Sequence, residues 1–337
     1  MTSRMLAEAL EAPAAAERLL ASGAASYAEL GADLRRNPPR GLLTIARGSS
    51  DHAAHYVAYL IMARLGLLVT SLPMSLVTLY QSQLRTEGLV SIALSQSGQS
   101  KDLVVPTRFF REGGARTVAF VNDVRSPLAE AAQWVFDLAA GPETSVAATK
   151  SCIAQLVAGA RLVAEWQDHA GLRDALHDLP AQLREAACMD WRPAVDALVH
   201  VDRLFVISRG LGLPIALEAA LKLKEVCGIQ AEAFSGAEVR HGPLALVEAD
   251  YPLLIFAPRG PAHAGLVALA DDMRARGARV LLAASDGAEL PLATCADEDL
   301  DPIAALQSFY PMVEALARAR GLDPDAPRHL TKVTLTQ

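Results

Sequence analysis

Leu89-Val90-Ser91-Ile92-Ala93-Leu94-Ser95-Gln96-Ser97-Gly98-Gln99-Ser100-Lys101-Asp102 is the stretch that decides the fold. Its first six residues form a short, mostly apolar run, the pattern of a strand buried on both faces of a parallel sheet. Three hydroxyls and a glycine then interrupt the run, and a helical segment begins. Similar runs stand at Leu42-Leu43-Thr44-Ile45 and Thr117-Val118-Ala119-Phe120-Val121. The second half repeats them at Leu204-Phe205-Val206-Ile207, Leu253-Leu254-Ile255-Phe256 and Val280-Leu281-Leu282-Ala283. Strands alternating with longer amphipathic segments predict βαβ units and doubly wound parallel sheets, an α/β fold.

The two halves align by position. Arg209-Gly210 follows its strand 162 residues after Arg47-Gly48, and Gly260 lies 162 residues after Gly98. Gly277-Ala278-Arg279 lies 163 residues after Gly114-Ala115-Arg116, each before a third strand. Glycine recurs wherever a strand turns into a helix, so one such pair would mean little. Three near-equal offsets point to internal duplication. The expected organisation is a helical segment over residues 1–36, started or interrupted at Pro13, a first domain over 37–175 and a second over 190–337. The boundary is placed near 171–195, where Asp174, His177, Asp178 and Pro180 precede another helical run.

A chain of 337 residues exceeds the usual single-domain size of ~100–150 residues, which agrees with two domains. Apolar residues at 52% and charged residues at 20% fit a packed protein rather than a disordered one. A net charge of -7 argues against a nucleic-acid partner, because phosphate backbones are held by clustered Lys and Arg. A small anionic ligand stays open. The N-terminus, with Glu8 and Glu11, lacks the apolar core of a signal peptide. Val57 to Leu72 carries Arg64 at its centre, so a buried helix is expected there and no membrane partner. Cys152, Cys188, Cys227 and Cys295 are widely spaced with no CxxC pair, which predicts reduced thiols and a cytoplasmic protein.

Ligands of open α/β sheets sit at the carboxyl ends of the strands. There Ser95, Gln96, Ser97 and Ser100 surround Gly98 just before a helix, whose unpaired N–H groups and partial positive charge favour a phosphate. The counterpart Ala257-Pro258-Arg259-Gly260 has no hydroxyls, so only the first half keeps this cradle. Ser49 and Ser50 offer further donors after the first strand, although either one alone reads as an ordinary helix cap. Asp51-His52 and His55 resemble a metal-ligand spacing but lack further ligands. Capping by Asp51 is the preferred account, and no metal and no cofactor are expected.

In the second half a helix opens near Pro214 and runs Ala216-Leu217-Glu218-Ala219-Ala220-Leu221-Lys222-Leu223-Lys224-Glu225. Lys222 and Glu225 share one helical face, and composition alone makes them a surface ion pair. The stretch that follows, 231–243, is polar, punctuated by glycine, and holds His241; it reads as a loop, where acid–base groups tend to lie.

With Glu143-Thr144-Ser145-Val146-Ala147-Ala148-Thr149-Lys150, Glu238-Val239-Arg240-His241-Gly242-Pro243 and Asp323-Pro324-Asp325-Ala326-Pro327-Arg328-His329-Leu330-Thr331-Lys332, these motifs have a known counterpart. From about residue 40 onward the chain resembles the double sugar-isomerase (SIS) domain of glucosamine-6-phosphate synthase and stand-alone glucosamine-6-phosphate deaminases. The resemblance implies two tandem flavodoxin-like SIS domains. It implies that Ser95, Gln96, Ser97 and Ser100 hold a sugar phosphate, with Ser49 and Ser50 nearby, and that Val146 and Ala148 touch the sugar through their backbone. Glu225 would move a proton between C1 and C2, supported by Lys222. His241 would assist ring opening and arrive from the neighbouring subunit of a homodimer. Lys332 would reach the carbonyl carbon or its imine. Ala148 stands where the synthase has Ser, and Gln99 replaces an acidic residue.

The chemistry needs these residue types. A proton passed between adjacent carbons requires one base that holds and returns it, which suits a partly desolvated carboxylate. Ring opening suits a group that titrates near neutrality, as His does. The synthase carries a glutaminase domain with a nucleophilic Cys directly after the initiator Met, whereas Thr2 stands here. Glutamine hydrolysis is therefore not expected. The expected reaction is isomerising deamination of glucosamine 6-phosphate to fructose 6-phosphate and ammonia. The alternatives are an isomerase or deglycase acting on another phosphosugar, an aminotransferase-like isomerase without the glutaminase domain, and a non-catalytic sugar-phosphate sensor.

Overall fold

A computed structural model describes residues 2–332, and all six runs read as strands lie in parallel sheets within it. The first sheet holds β1 (Gly41–Ile45), β2 (Val69–Ser71), β3 (Leu89–Ser95), β4 (Arg116–Val121) and β5 (Trp134–Asp137), in the order β2-β1-β3-β4-β5. The second holds β6 (Arg203–Ser208), β7 (Gln230–Ser235), β8 (Pro252–Phe256), β9 (Arg279–Ala284) and β10 (Leu290–Pro291), in the order β10-β9-β8-β6-β7. Read from its other end, the second sheet repeats the order of the first, strand for strand. The paired glycines at the three offsets all take positive φ: 56° and 62° at Gly48 and Gly210, 65° and 111° at Gly98 and Gly260, and 87° and 88° at Gly114 and Gly277. A side chain is disfavoured there, which explains why these positions are glycine in both halves.

Four strands escaped the sequence reading. Strands β2, β5, β7 and β10 stand at sheet edges and are half-exposed or very short, so they lack the apolar run of a central strand. Strand β7 also corrects the reading of 231–243 as a loop, since only the part beyond Ser235 is one.

The helices are α1 (Arg4–Ala21), α2 (Ala24–Arg36), α3 (Ser49–Leu65), the short α4 (Ser75–Thr78), α5 (Lys101–Glu112), the short α6 (Pro127–Ala131), α7 (Lys150–Gln167), α8 (Ala170–Ala187), α9 (Arg192–Leu198), α10 (Leu213–Cys227), α11 (His263–Ala275) and α12 (Asp301–Ala319). Helix α1 runs through Pro13 rather than breaking there, and the chain turns at Gly23 instead, with φ 65°. The helix expected over Val57 to Leu72 ends at Leu65, where Gly66 adopts φ 68° and its N–H bonds the Met62 carbonyl. Strand β2 takes up Val69–Ser71. No described helix is long and apolar enough to cross a membrane. The run near 171–195 begins within α8, which accommodates Pro180.

The chain divides into two compact units. One holds residues 14–143 and 150–177 with Thr331 and Lys332, and so carries β1–β5; the other holds residues 2–13, 144–149 and 178–330, and carries β6–β10. In the first, Leu43, Ile45, Ala93 and Val121 of the sheet pack with Leu103 and Phe110 of α5. Its helices also approach closely: a Cβ on Gly31 of α2 would stand 2.7 Å from the Glu165 carbonyl of α7. In the second, Phe205, Ile207, Leu253 and Ile255 pack with Leu266 and Met273 of α11.

Candidate active site

In the first unit β1 and β3 are parallel neighbours, with Ile45 opposite Ala93, so both chains leave the sheet at the same edge. There the segment after β3 folds into a tight loop around Gly98. The Ser95 hydroxyl, on a buried residue, accepts the Gly98 N–H at 2.9 Å, and the Ser97 hydroxyl accepts the Gln99 N–H at 3.3 Å. The Gln96 carbonyl accepts the Asn122 N–H at 3.3 Å. Ser100 is the N-cap of α5, yet its hydroxyl makes no capping bond and stays available at the positive end of the helix. After β1, Gly48 is the N-cap of α3, and Ser49 and Ser50 are its first residues. Asp51 therefore lies inside the helix and does not cap it, contrary to the expectation. The Arg47 guanidinium lies 3.3 Å from the Asp102 carboxylate in the first turn of α5.

Lys332 belongs to this same unit. Its ammonium lies 3.1 Å from Oε2 of Glu143, whose side chain is fully buried. Glu143 also accepts the Ser151 N–H at 3.0 Å and the Ser151 hydroxyl at 2.6 Å. Glu143 opens the Glu143–Lys150 motif, whose sequence alone assigns it no role. Its fixed, charged position supplies a defined partner for an amine near the chain end.

In the second unit the segment 144–149 presents Val146 and Ala148, both half-buried. It is held by Glu8 of α1, a residue that sequence reasoning used only to argue against a leader. The Glu8 carboxylate accepts the Thr144 N–H at 2.6 Å, the Thr144 hydroxyl at 3.1 Å and the Ser145 N–H at 3.1 Å. No local signal in the sequence links positions so far apart. The backbone contacts to a sugar that the family resemblance implies for Val146 and Ala148 would act in ground and transition states alike, so loosening them would raise KM more than it lowers kcat. Glu8→Ala is expected to raise KM about tenfold with kcat within about threefold, equivalent to ~1.4 kcal/mol of binding. Steady-state kinetics checks this, and an unchanged KM would show that the segment holds itself.

Helix α10 of the same unit carries the second cluster. Lys222 is not a surface residue: its side chain is 1% exposed, with Glu218 one turn before it equally buried. The Lys222 ammonium pairs with Glu218 at 3.4 Å and donates a hydrogen bond to Glu225. Burying an ammonium is tolerable only with such partners. The Tyr310 hydroxyl of α12 donates to Glu218 at 3.3 Å. Glu225 is the partly exposed end of this series, with 20% of its side chain accessible. It lies in the wall of a cavity of about 970 Å³ shared with Leu221, Val199, Leu322, Pro327 and Leu330. Arg320 at its rim is occupied by the carbonyls of Cys227, Val199 and Val201, at 2.9, 2.8 and 2.7 Å, and closes helix ends rather than facing a ligand. His241 follows a 3-10 turn over Glu238–Arg240 and is exposed.

Two parallel sheets of the same strand order are matched in known proteins. The SIS domain profile fits residues 38–164 and again 197–317. The chain belongs to the SIS-domain family. It is 32% identical over 362 residues to the isomerising glutamine–fructose-6-phosphate aminotransferase of Streptomyces coelicolor, covering 98% of this chain and 58% of that protein. The same enzyme of Symbiobacterium thermophilum is 33% identical over 313 residues, covering 87% and 51%. This SIS chain thus spans little more than half the length of these curated relatives. A solved structure from Silicibacter pomeroyi DSS-3, provisionally named a phosphosugar isomerase, superposes with a TM-score of 0.91 and 42% identity, over 96% of this chain and 100% of that one. The glucosamine-6-phosphate deaminase of Thermotoga maritima shares the fold, with a TM-score of 0.79 at 19% identity over 99% of this chain and 100% of that one.

Proposed function

We propose that this SIS protein is a phosphosugar isomerase that deaminates glucosamine 6-phosphate to fructose 6-phosphate and ammonia. The observation that carries the reading is the α10 cluster: a carboxylate at the edge of a cavity, held by a buried ammonium, as a base moving a proton between neighbouring carbons requires. Likeness to isomerising aminotransferases along nearly the whole chain supports the same substrate class.

In this reading Ser95, Gln96, Ser97 and Ser100 take the phosphate at the start of α5, with Ser49 and Ser50 as further donors, and Val146 and Ala148 contact the sugar through backbone groups. His241, contributed by the partner in a homodimer, passes a proton to the ring oxygen as the pyranose opens. Glu225 removes the proton from C2 and returns it to C1, which turns the C2 amine into an imine. Lys222 offsets the charge that Glu225 alternately carries and gives up. Water then adds to the imine carbon and ammonia leaves. Lys332 reaches the carbonyl carbon or its imine at that stage, and its ion pair with Glu143 supports an ordered amine there. Hydrolysis of the imine needs only water, which supports the deaminating direction. We place the enzyme in the cytoplasm.

Two departures favour a second reading. Ala148 and Gln99 lack the hydroxyl and the charge found in the synthase, which fits an isomerase or deglycase for a different phosphosugar. Incubation with glucosamine 6-phosphate, measuring ammonia and fructose 6-phosphate together, decides between them. Equimolar release of both is expected. Binding without turnover would leave a sensor, and proton exchange on another phosphosugar alone would favour the second reading.

A further inference from the structure

The buried end of the α10 cluster has no part in the steps above, and its geometry gives it one. We propose that Glu218 and Tyr310 are positioning residues for the proton transfer, with Tyr310 anchoring Glu218 so that Glu218 shares the Lys222 ammonium with Glu225; this rests on Glu225 being the base.

The residues form a single series from the interior outward. Tyr310 is fully buried in α12, Glu218 and Lys222 are buried in α10, and Glu225 alone reaches the cavity. Two carboxylates face one ammonium, so the cation is shared between them. A carboxylate that shares its cation binds a proton more readily than one that has the cation to itself. Removing the charge of Glu218 ends the sharing and also removes a neighbouring negative charge. Both effects act in the same direction and make Glu225 a weaker base. The Tyr310 hydroxyl matters because a buried carboxylate oxygen needs donors to stay ionised and in place.

The other charged groups on elements packed against α10 have partners or face solvent. On α12, Asp301 is bound to Arg259, while Glu314 accepts the Ser3 hydroxyl at 2.6 Å and lies 3.9 Å from Arg318. Arg203 of β6 lies over the Tyr251 ring, and Glu232 of β7 is exposed. Lys224, on α10 itself, is exposed, and burial pushes the Cys227 thiol up to about 12, so it stays neutral.

A double-mutant cycle tests the proposal with Glu218→Gln, Tyr310→Phe and the pair, following kcat, KM and the pH profile of kcat. Glu218→Gln should lower kcat about tenfold with KM within about twofold, and move the acid limb of the profile down by about one pH unit. Tyr310→Phe, nearly isosteric, should lower kcat about threefold with KM unchanged. The pair should be no slower than Glu218→Gln alone, since Tyr310 acts through Glu218. Additive losses, or folded variants with unaltered kcat and acid limb, would overturn the proposal. If Glu218→Gln does not fold, Tyr310→Phe alone decides: full kcat overturns the proposal and a kcat loss at constant KM supports it. A wild-type protein that exchanges no proton on any phosphosugar would instead sink the assignment of function.

Discussion

Glu225→Gln should abolish exchange of the sugar's C2 proton with solvent while leaving phosphate binding almost intact. The amide keeps the shape of the side chain but cannot accept the proton. General acid–base groups typically contribute factors on the order of 10²–10⁴, so a loss of that size in kcat is expected. The fold should survive, because Lys222 retains Glu218 as its buried partner. The residues proposed to take the phosphate, Ser95 to Ser100, follow a strand of the other sheet and are untouched by the substitution. Deuterium incorporation at C1 measured by mass spectrometry, with calorimetric binding of the phosphosugar, separates the two effects. A variant that keeps full exchange would remove Glu225 as the base.

The second large effect is expected at Gly98. Its φ of 65° disfavours any side chain, and an added Cβ would fall 2.1 Å from Oγ and 2.5 Å from Cβ of Ser126. Ser126 cannot retreat cheaply, since it caps α6 by accepting the Ala129 N–H at 3.3 Å. Gly98 itself is tied on both sides: its N–H is held by Ser95, and its carbonyl accepts the Leu128 N–H at 3.1 Å. Gly98→Ala must therefore move the loop and the hydroxyls it carries. Weakening of phosphosugar binding by about a hundredfold is expected, or ~2.7 kcal/mol. The duplicated half supplies a control. At Gly260 the nearest atom to an added Cβ is Oε1 of Glu298 at 3.6 Å, an ordinary contact. Gly260→Ala has an unfavourable φ and costs some stability, but it should leave binding unchanged. Calorimetry on both variants checks this, and Gly98→Ala binding within about threefold of wild type would disprove the loop's role.

The fold was largely legible in the primary structure. Buried central strands must be continuous apolar runs, and the positive-φ turns after them must be glycine, so both left marks at fixed offsets in each half. Edge strands β2, β5, β7 and β10 left no such mark, because a half-exposed strand has no need of an apolar run. The serine-rich loop before α5 was equally visible, since its hydroxyls come from one short segment. Composition alone makes Lys222 a surface residue, because helical spacing says which residues share a face and not whether that face meets water or another helix; in the structure it is buried. Tertiary structure alone decided that Glu8 fastens the segment 144–149, that Glu143 holds Lys332, and that Tyr310 stands behind Glu218. Each joins residues far apart in the chain, and a hydrogen bond between distant positions leaves no periodicity or spacing to read. Local sequence determined the scaffold and the serine-rich loop at the start of α5, whereas packing determined which carboxylates became buried anchors and which one reaches the cavity.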